Sequence, residues 1–253
     1  MSIRSSVRNQ VAIIEIARPE KKNALTAAMY DALAEAVRAA AQDLRVRALL
    51  LTGQPGIFTA GNDVEDFLER PPTSEDAPAY RFMRALIECE KPVVAAVSGP
   101  AIGIGTTLLL HCDLVYVSPE ARFSLPFVAL GLVPEFASSV LLPALAGRAR
   151  AAEKLLLAEP FSGAEALELG LATGLVPGEQ LLEHALRQAE RFNALPPGAV
   201  RDTKRLMRAA WKEPIERALA AEGECFYERL RSPEAREAFR AFLEKRKPDF
   251  SKL

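Results

Sequence analysis

The sequence predicts an α/β chain in which a core of alternating strands and helices is followed by a helical tail. Two continuous apolar runs, RALLLT (Arg47 to Thr52) and VVAAV (Val93 to Val97), read as strands covered on both faces. Gly99, Gly103 and Gly105 turn the second run into a helical stretch through Leu110, and DLVYV (Asp113 to Val117) follows as another strand. After about residue 135 the apolar spacing becomes almost wholly helical, and no internal repeat is present.

In chain order, Val11, Ile13 and Ile14 to Ile16 form an early strand that Arg18-Pro19 ends in the charged loop Glu20-Lys21-Lys22-Asn23. Thr26 is placed to cap a helix whose stripe is Met29, Leu33, Ala36, Val37 and Ala40. Gly53 stops the next strand, and a loop runs from Gln54 to Asp66. The polar, proline-rich stretch Arg70 to Pro78 marks a surface excursion before a helix read from Tyr80, Met83, Leu86 and Ile87, bounded by Pro92. Helices are then expected at about 136–142, 149–158, 163–169, 179–194 and 199–209, with more from 214 to 246.

Composition excludes several classes. Of 253 residues 49% are hydrophobic and 26% charged, which fits a globular chain with a substantial core. The net charge of −1 supplies no global field for nucleic acid or anionic lipid. Cys89, Cys112 and Cys225 lie far apart, and only His111 and His184 add imidazoles, so a metal site is not expected. No signal-peptide pattern opens the chain, and the apolar run Ala101 to Leu110 falls short of the roughly 20 residues a membrane span needs. Sparse cysteine, 23 arginines against nine lysines and abundant alanine place the chain first in a bacterial cytoplasm. Ser251-Lys252-Leu253 reads literally as a peroxisomal address, the second placement.

Several motifs have competing readings. SGPAIGIG (Ser98 to Gly105) matches the glycine loop of short-chain dehydrogenases, but Tyr30, Tyr80, Tyr116 and Tyr227 are followed four residues on by Ala34, Arg84, Glu120 and Arg231, so their Tyr-x-x-x-Lys pair is missing. His111-Cys112-Asp113 falls at a helix-to-strand junction, where Asp113 is expected to bind backbone and Cys112 to pack. Ser138-Ser139 lacks the G-x-S-x-G elbow and reads as helix. Lys245-Arg246-Lys247 is either a solvated tail or a phosphate contact.

IFTAGNDVEDF (Ile57 to Phe67), SGPAIGIG and LGLVPEFASS (Leu130 to Ser139) together give the chain a resemblance, over nearly its whole length, to the crotonase or enoyl-CoA hydratase/isomerase superfamily. Within it the chain looks most like the 3-enoyl-CoA to 2-enoyl-CoA isomerases of the peroxisomal type. The resemblance implies a ClpP/crotonase-like spiral core of ββα units over 1–195 and a C-terminal helical trimerisation region over 196–253. It also implies an acyl-CoA substrate, no further cofactor, and a homotrimer or hexamer without nucleic-acid or membrane partners.

It further implies that Ala60 and Ile104 aim backbone N–H groups at the thioester oxygen, each contributing about 3 to 4 kcal/mol to an oxyanion hole. Gly61 and Gly103 let the backbone approach the ligand. Lys22, Asn23 and Ala24 contact the CoA chain, and Ala60, Gly61, Asn62, Asp63 and Val64 border its adenine and pantetheine. The two glutamates of the family's hydratases are replaced by Thr107 and Phe127, and Glu135 stands where the isomerases carry a single catalytic carboxylate. Desolvation by Val133, Pro134 and Phe136 would raise its pKa, whereas a helix start would lower it. Hydration, thioester hydrolysis, and a non-catalytic CoA- or RNA-binding role are the alternatives.

Overall fold

The computed structural model describes residues 2–69, 71, 74, 76–251 and 253. Arg70, Pro72, Thr73 and Glu75 of the proline-rich excursion and Lys252 of the terminal tripeptide lie outside the described residues. The strands are β1 (Ile3–Arg8), β2 (Val11–Ile16), β3 (Ala48–Thr52), β4 (Val93–Val97), β5 (Pro100–Ile102), β6 (Leu114–Val117), β7 (Arg122–Ser124), β8 (Phe161–Ser162) and β9 (Gly174–Leu175). The helices are α1 (Ala27–Gln42), α2 (Val64–Glu69), α3 (Pro78–Glu88), α4 (Ile104–Thr107), α5 (Ser138–Ala146), α6 (Arg148–Leu156), α7 (Gly163–Glu168), α8 (Gly178–Glu190), α9 (Pro197–Ala209), α10 (Lys212–Leu230) and α11 (Pro233–Leu243).

The main sheet has the order β1-β2-β3-β4-β6-β9 and is parallel except for the β1–β2 hairpin. Every residue of β3 and β4 is buried, as continuous apolar strands of a doubly covered sheet require. Side-chain alternation splits them cleanly. Leu49, Leu51, Val93, Ala95 and Val97 face the stripes of α1 and α3, while Leu50, Val94 and Ala96 face Leu181, Ala185 and Ala189 of α8. Thr26 caps α1 as expected, its side chain accepting from the Met29 amide at 3.3 Å. A second sheet, β5-β7-β8, stands outside the main one.

The helical stretch through Leu110 is the short α4 followed by a 3-10 turn, Leu108–His111, with β5 just before it. Beyond residue 135 the described chain is almost wholly helical, the exceptions among its elements being β8, which pairs with β7, and β9, which extends the main sheet. β1 was hidden by its polar sequence, IRSSVR, which solvent surrounds. A two-residue turn, Asn9-Gln10, makes it a strand; φ values of 46° and 63° there match the twist of a tight hairpin.

The C-terminal helices return over their own core. Phe226 of α10 and Ala235 and Phe239 of α11 join a cluster with Leu125, Phe127 and Leu132. α9 is tied down differently, by Lys204, whose buried ammonium donates to Asp113 Oδ2 and to the Lys91 carbonyl, each at 2.6 Å. Asp113 also accepts from the Val93 amide at 2.7 Å, so it binds backbone as its position suggested. Lys204→Ala would take the ammonium from Asp113 and the Lys91 carbonyl, leaving Arg208 at 3.4 Å as the cation on Asp113, and is expected to cost about 2 kcal/mol of unfolding free energy. Urea denaturation of the two proteins measures the difference, and a loss below about 1 kcal/mol would show the contact to be dispensable.

Candidate active site

Two loops leave the C-terminal ends of neighbouring parallel strands, where α/β sheets place their ligand crevices. The loop after β3 is stitched on both sides. On one side the Ile102 amide donates to the Thr59 carbonyl at 3.0 Å and the Thr59 amide to the Pro100 carbonyl at 2.9 Å. On the other the Ala60 amide donates to the Lys22 carbonyl at 3.0 Å, the Leu25 amide to Gly61 at 2.8 Å and the Asp63 amide to Leu25 at 2.9 Å. The approach is close enough to demand glycine: φ at Gly61 is +84°, and a Cβ there would lie 2.8 Å from the Ile102 carbonyl oxygen. Gly61 therefore serves loop-to-loop packing before any ligand. Gly103, at φ +56°, has open space around its Cα instead and turns the chain into α4.

Counting donors locates the open amides. The amides of Thr59, Ala60 and Asp63 are bonded to backbone, and that of Gly61 donates to Thr59 Oγ1 at 3.1 Å. Asn62 is the exception: among the described residues nothing accepts from its amide. Across the crevice the Gly103 amide donates to Ser124 at 2.9 Å, while that of Ile104, the first residue of α4, has no intrahelical acceptor. This corrects one expected donor. The Ala60 N–H is occupied, and the open group lies two residues on, at Asn62.

Asn62 and Ile104 line a cavity of about 690 Å³ that also meets Lys21, Lys22, Ala24, Ala60, Gly61, Asp63, Val64, Gly103 and Arg246. Asn23 is not among its walls. Its side chain is buried, accepting from the Arg18 amide at 2.7 Å and donating to the Ile57 and Phe58 carbonyls at 3.3 and 3.0 Å, so it is a strut of the loop with no group left for CoA. Asp63 is likewise engaged, by Arg18 at 2.7 Å. Arg246 reaches the cavity from the same chain, held by Glu237 at 2.5 Å.

A second cavity, of about 420 Å³, adjoins the first and shares Asn62, Phe67 and Phe226 with it. Glu135 enters this one. Only 8% of it is exposed, and its Oε1 has no hydrogen-bond partner. Burial, and secondarily the charge of Glu222, pushes its pKa up to about 8. Tyr30 also lines this cavity and donates to Asn62 Oδ1. Burial, with Glu135 nearby, pushes the Tyr30 hydroxyl well up, so it stays a neutral donor.

The turn that presents Glu135 is unusual. Phe136 and Ala137 both sit at left-handed φ, 61° and 56°. His111 Nε2 donates to the Phe136 carbonyl at 2.8 Å, Ser138 Oγ donates to the Glu135 carbonyl at 2.6 Å, and Glu222 accepts from the Ala137 and Ser139 amides at 2.7 and 2.9 Å. Burial pushes His111 down to about 4, and its ring stacks on Phe136 at 4.0 Å. His111 is thus a neutral prop. The hydratase positions hold no acid: Thr107 is fully buried within α4, and Phe127 is an apolar wall. Among the described residues no three His, Cys, Asp or Glu side chains gather where they would hold a metal ion. The dehydrogenase alternative fails on geometry, because Pro100–Ile102 of its glycine motif is a strand paired with Arg122–Ser124.

Glu222 was not anticipated. It falls on the buried stripe of α10 with Ile215, Ala218, Leu219, Gly223 and Phe226, and a carboxylate on an apolar stripe is the signal that marks it.

The enoyl-CoA hydratase/isomerase family profile matches residues 6–252. Pseudomonas aeruginosa OdaA is 53% identical with a TM-score of 0.93, the alignment covering 96% of this chain and 98% of that one. Human enoyl-CoA delta isomerase 2 is 33% identical over 236 residues, which cover 90% of this chain but only 60% of that longer protein. The 2,3-dehydroadipyl-CoA hydratase of Escherichia coli (strain K12) is 31% identical over 247 residues, covering 97% of this chain and 96% of the hydratase. Relatives named for both reaction types are thus similar in sequence to this chain, which is an enzyme of crotonase fold that belongs to the enoyl-CoA hydratase/isomerase family.

Proposed function

We propose that the protein is an acyl-CoA isomerase that moves the double bond of a 3-enoyl-CoA to the trans-2 position. The observation that carries this reading is the carboxylate of Glu135, the one buried group among the four carboxylates that line its cavity, the others being Asp31, Asp66 and Asp76; it is desolvated, with Oε1 unpartnered, near the open-amide crevice at Asn62. The larger cavity takes the CoA arm, with Lys22 and Arg246 facing phosphate groups, and the smaller takes the acyl chain. Asn62 borders both, so the thioester lies beside it.

Glu135 removes a proton from C2 of the 3-enoyl thioester. The C2 electron pair delocalises into the carbonyl, giving a dienolate whose oxygen meets the Asn62 and Ile104 amides. Such preorganised donors contribute about 3 to 4 kcal/mol each where they face the developing charge. Glu135 then returns the proton to C4, and the double bond re-forms between C2 and C3. The reaction is redox-neutral and adds no atom, so the cycle asks for no cofactor beyond the CoA of the substrate. Hydration needs a second group to position and activate water, and Thr107 and Phe127 supply no acid or base there.

The same reading retains a homotrimer or pair of trimers. α10 and α11 fold back on their own core, which leaves the apolar face of α9, with Leu206 and Met207 at 68% and 72% exposure, to meet a neighbour. Bacterial relatives support a bacterial cytoplasm as the place of action.

Glu135→Gln is expected to lower the isomerisation rate about a thousandfold or more while acyl-CoA affinity holds. The assay compares 3-hexenoyl-CoA with crotonyl-CoA on both proteins. Conversion of the former without hydration of the latter supports the isomerase, whereas near-normal turnover by the variant rejects Glu135 as the base.

A base must be ionised to act, and burial raises this one, so kcat/KM should climb with pH and level off above about 8. A profile already flat at pH 5 would contradict that role.

A further inference from the structure

Glu135 is held by a turn with two consecutive left-handed residues, and such a turn persists only where its surroundings over-determine it. Two of its carbonyls are met by Ser138 Oγ and His111 Nε2. Its amides are met from another element: Glu222, 85 residues along the chain from Ala137, accepts from Ala137 through Oε2 and from Ser139 through Oε1. Both oxygens of one buried carboxylate are thereby spent on the peptide groups that follow Glu135. Glu222 borders neither cavity. It works from behind the turn.

We propose that Glu222 is a positioning residue for Glu135, reaching from α10 to clamp the turn and presenting a fixed buried charge behind the base. The proposal rests on Glu135 being the base, and goes beyond it by assigning a task to the C-terminal helical region. Glu222 from α10, Tyr30 from α1 and Tyr80 from α3 interact electrostatically with Glu135, and Asp31 of α1, Asp66 of α2 and Asp76 before α3 line the same cavity. Burial is the leading cause that pushes both tyrosines up, so they stay neutral, and Glu222 is the carboxyl group that acts with burial to raise Glu135. A fixed negative charge opposes ionisation of its neighbour and makes the ionised neighbour a stronger base. Burial also raises Glu222 itself, but its two amide bonds act against that and favour its charged form.

The test is Glu222→Gln, which keeps size, removes the charge and leaves one amide without an acceptor. Turnover of 3-hexenoyl-CoA should show a kcat/KM midpoint about one pH unit lower than in the wild type, with a lower plateau and unchanged acyl-CoA affinity. A readout without turnover separates this proposal from the reaction assigned above. In the wild type the Glu135 proton is held more tightly folded than unfolded, so stability is lost as pH rises from the ordinary glutamate range and stops falling above about 8. Glu135→Gln lacks that loss, and the difference between the two unfolding curves therefore grows with pH and levels off at the Glu135 midpoint. In a Glu222→Gln background the levelling-off should move to lower pH. If it moves while 3-hexenoyl-CoA is not isomerised, Glu222 is supported and the assigned reaction falls. An unmoved levelling-off in a folded variant overturns the proposal. Should Glu222→Gln not fold, Glu222→Asp decides: its carboxylate is pulled back by one methylene, kcat should drop about tenfold at unchanged KM, and full kcat overturns the proposal.

Discussion

Keeping a carboxyl group out of water with no cation beside it is the costliest requirement in this molecule, and much of the nearby structure meets it. Glu135 is surrounded by Tyr30, Tyr80, Met83, Phe67 and Phe226, drawn from α1, α3, α2 and α10. None can neutralise its charge. An unpaired buried ion is ordinarily avoided or kept protonated, and the upward shift of this group expresses that tension. The turn beneath it adds strain, since left-handed backbone costs roughly 1 to 2 kcal/mol for each residue that carries a Cβ. His111, Ser138 and Glu222 hold the turn against both costs with hydrogen bonds from three elements.

Opposite this group the backbone meets a complementary demand. Peptide N–H groups in a protein interior are almost always bonded, so an open amide must be left deliberately in a loop whose other donors are satisfied. The loop after β3 meets that condition through Lys22 and Leu25 on one side and β5 on the other, and Tyr30 fixes the Asn62 side chain. The parallel register of β3 and β4, Leu50 beside Val94, brings this loop level with the start of α4. Sheet geometry thus brings two open amides to one crevice.

The strands β2, β3, β4 and β6 were legible because a doubly covered parallel strand has to be apolar throughout, and α1 was legible from its stripe and its cap. The short strands β5, β7, β8 and β9 were not, since two or three residues carry no periodicity and owe their form to their partners. The same distinction runs through the site. Glu135 was singled out by the resemblance of LGLVPEFASS to the isomerases, and its apolar neighbours adjoin it in sequence. Which amide of AGN stays open could not be read, because the Ala60 N–H is taken by Lys22, 38 residues earlier, and only the folded loop reveals that pairing. Asn23 is a related case: the resemblance puts its loop against CoA, but the backbone groups that consume its side chain are seen only in the fold. Residue type does not separate Glu222 from Glu224 and Glu228; only its phase on α10 sets it apart.

The choice between moving a double bond and adding water can now be put in terms of dryness. The aromatic and apolar walls that raise Glu135 also border Asn62, whose amide acts more strongly as local polarity falls. In the proposed reaction such surroundings favour both a stronger base and a better sink for the dienolate charge. Water admitted beside Glu135 would solvate its ionised form, lower its basicity and offer a nucleophile for the conjugated product. An acid at position 107 or 127 would hold such a water in place; Thr107, sealed inside α4, and Phe127, a wall of the CoA-side cavity, hold none. Within a family whose members carry out both reactions, the proposed isomerisation draws on one buried carboxylate, Glu135, together with the lack of an acid at positions 107 and 127.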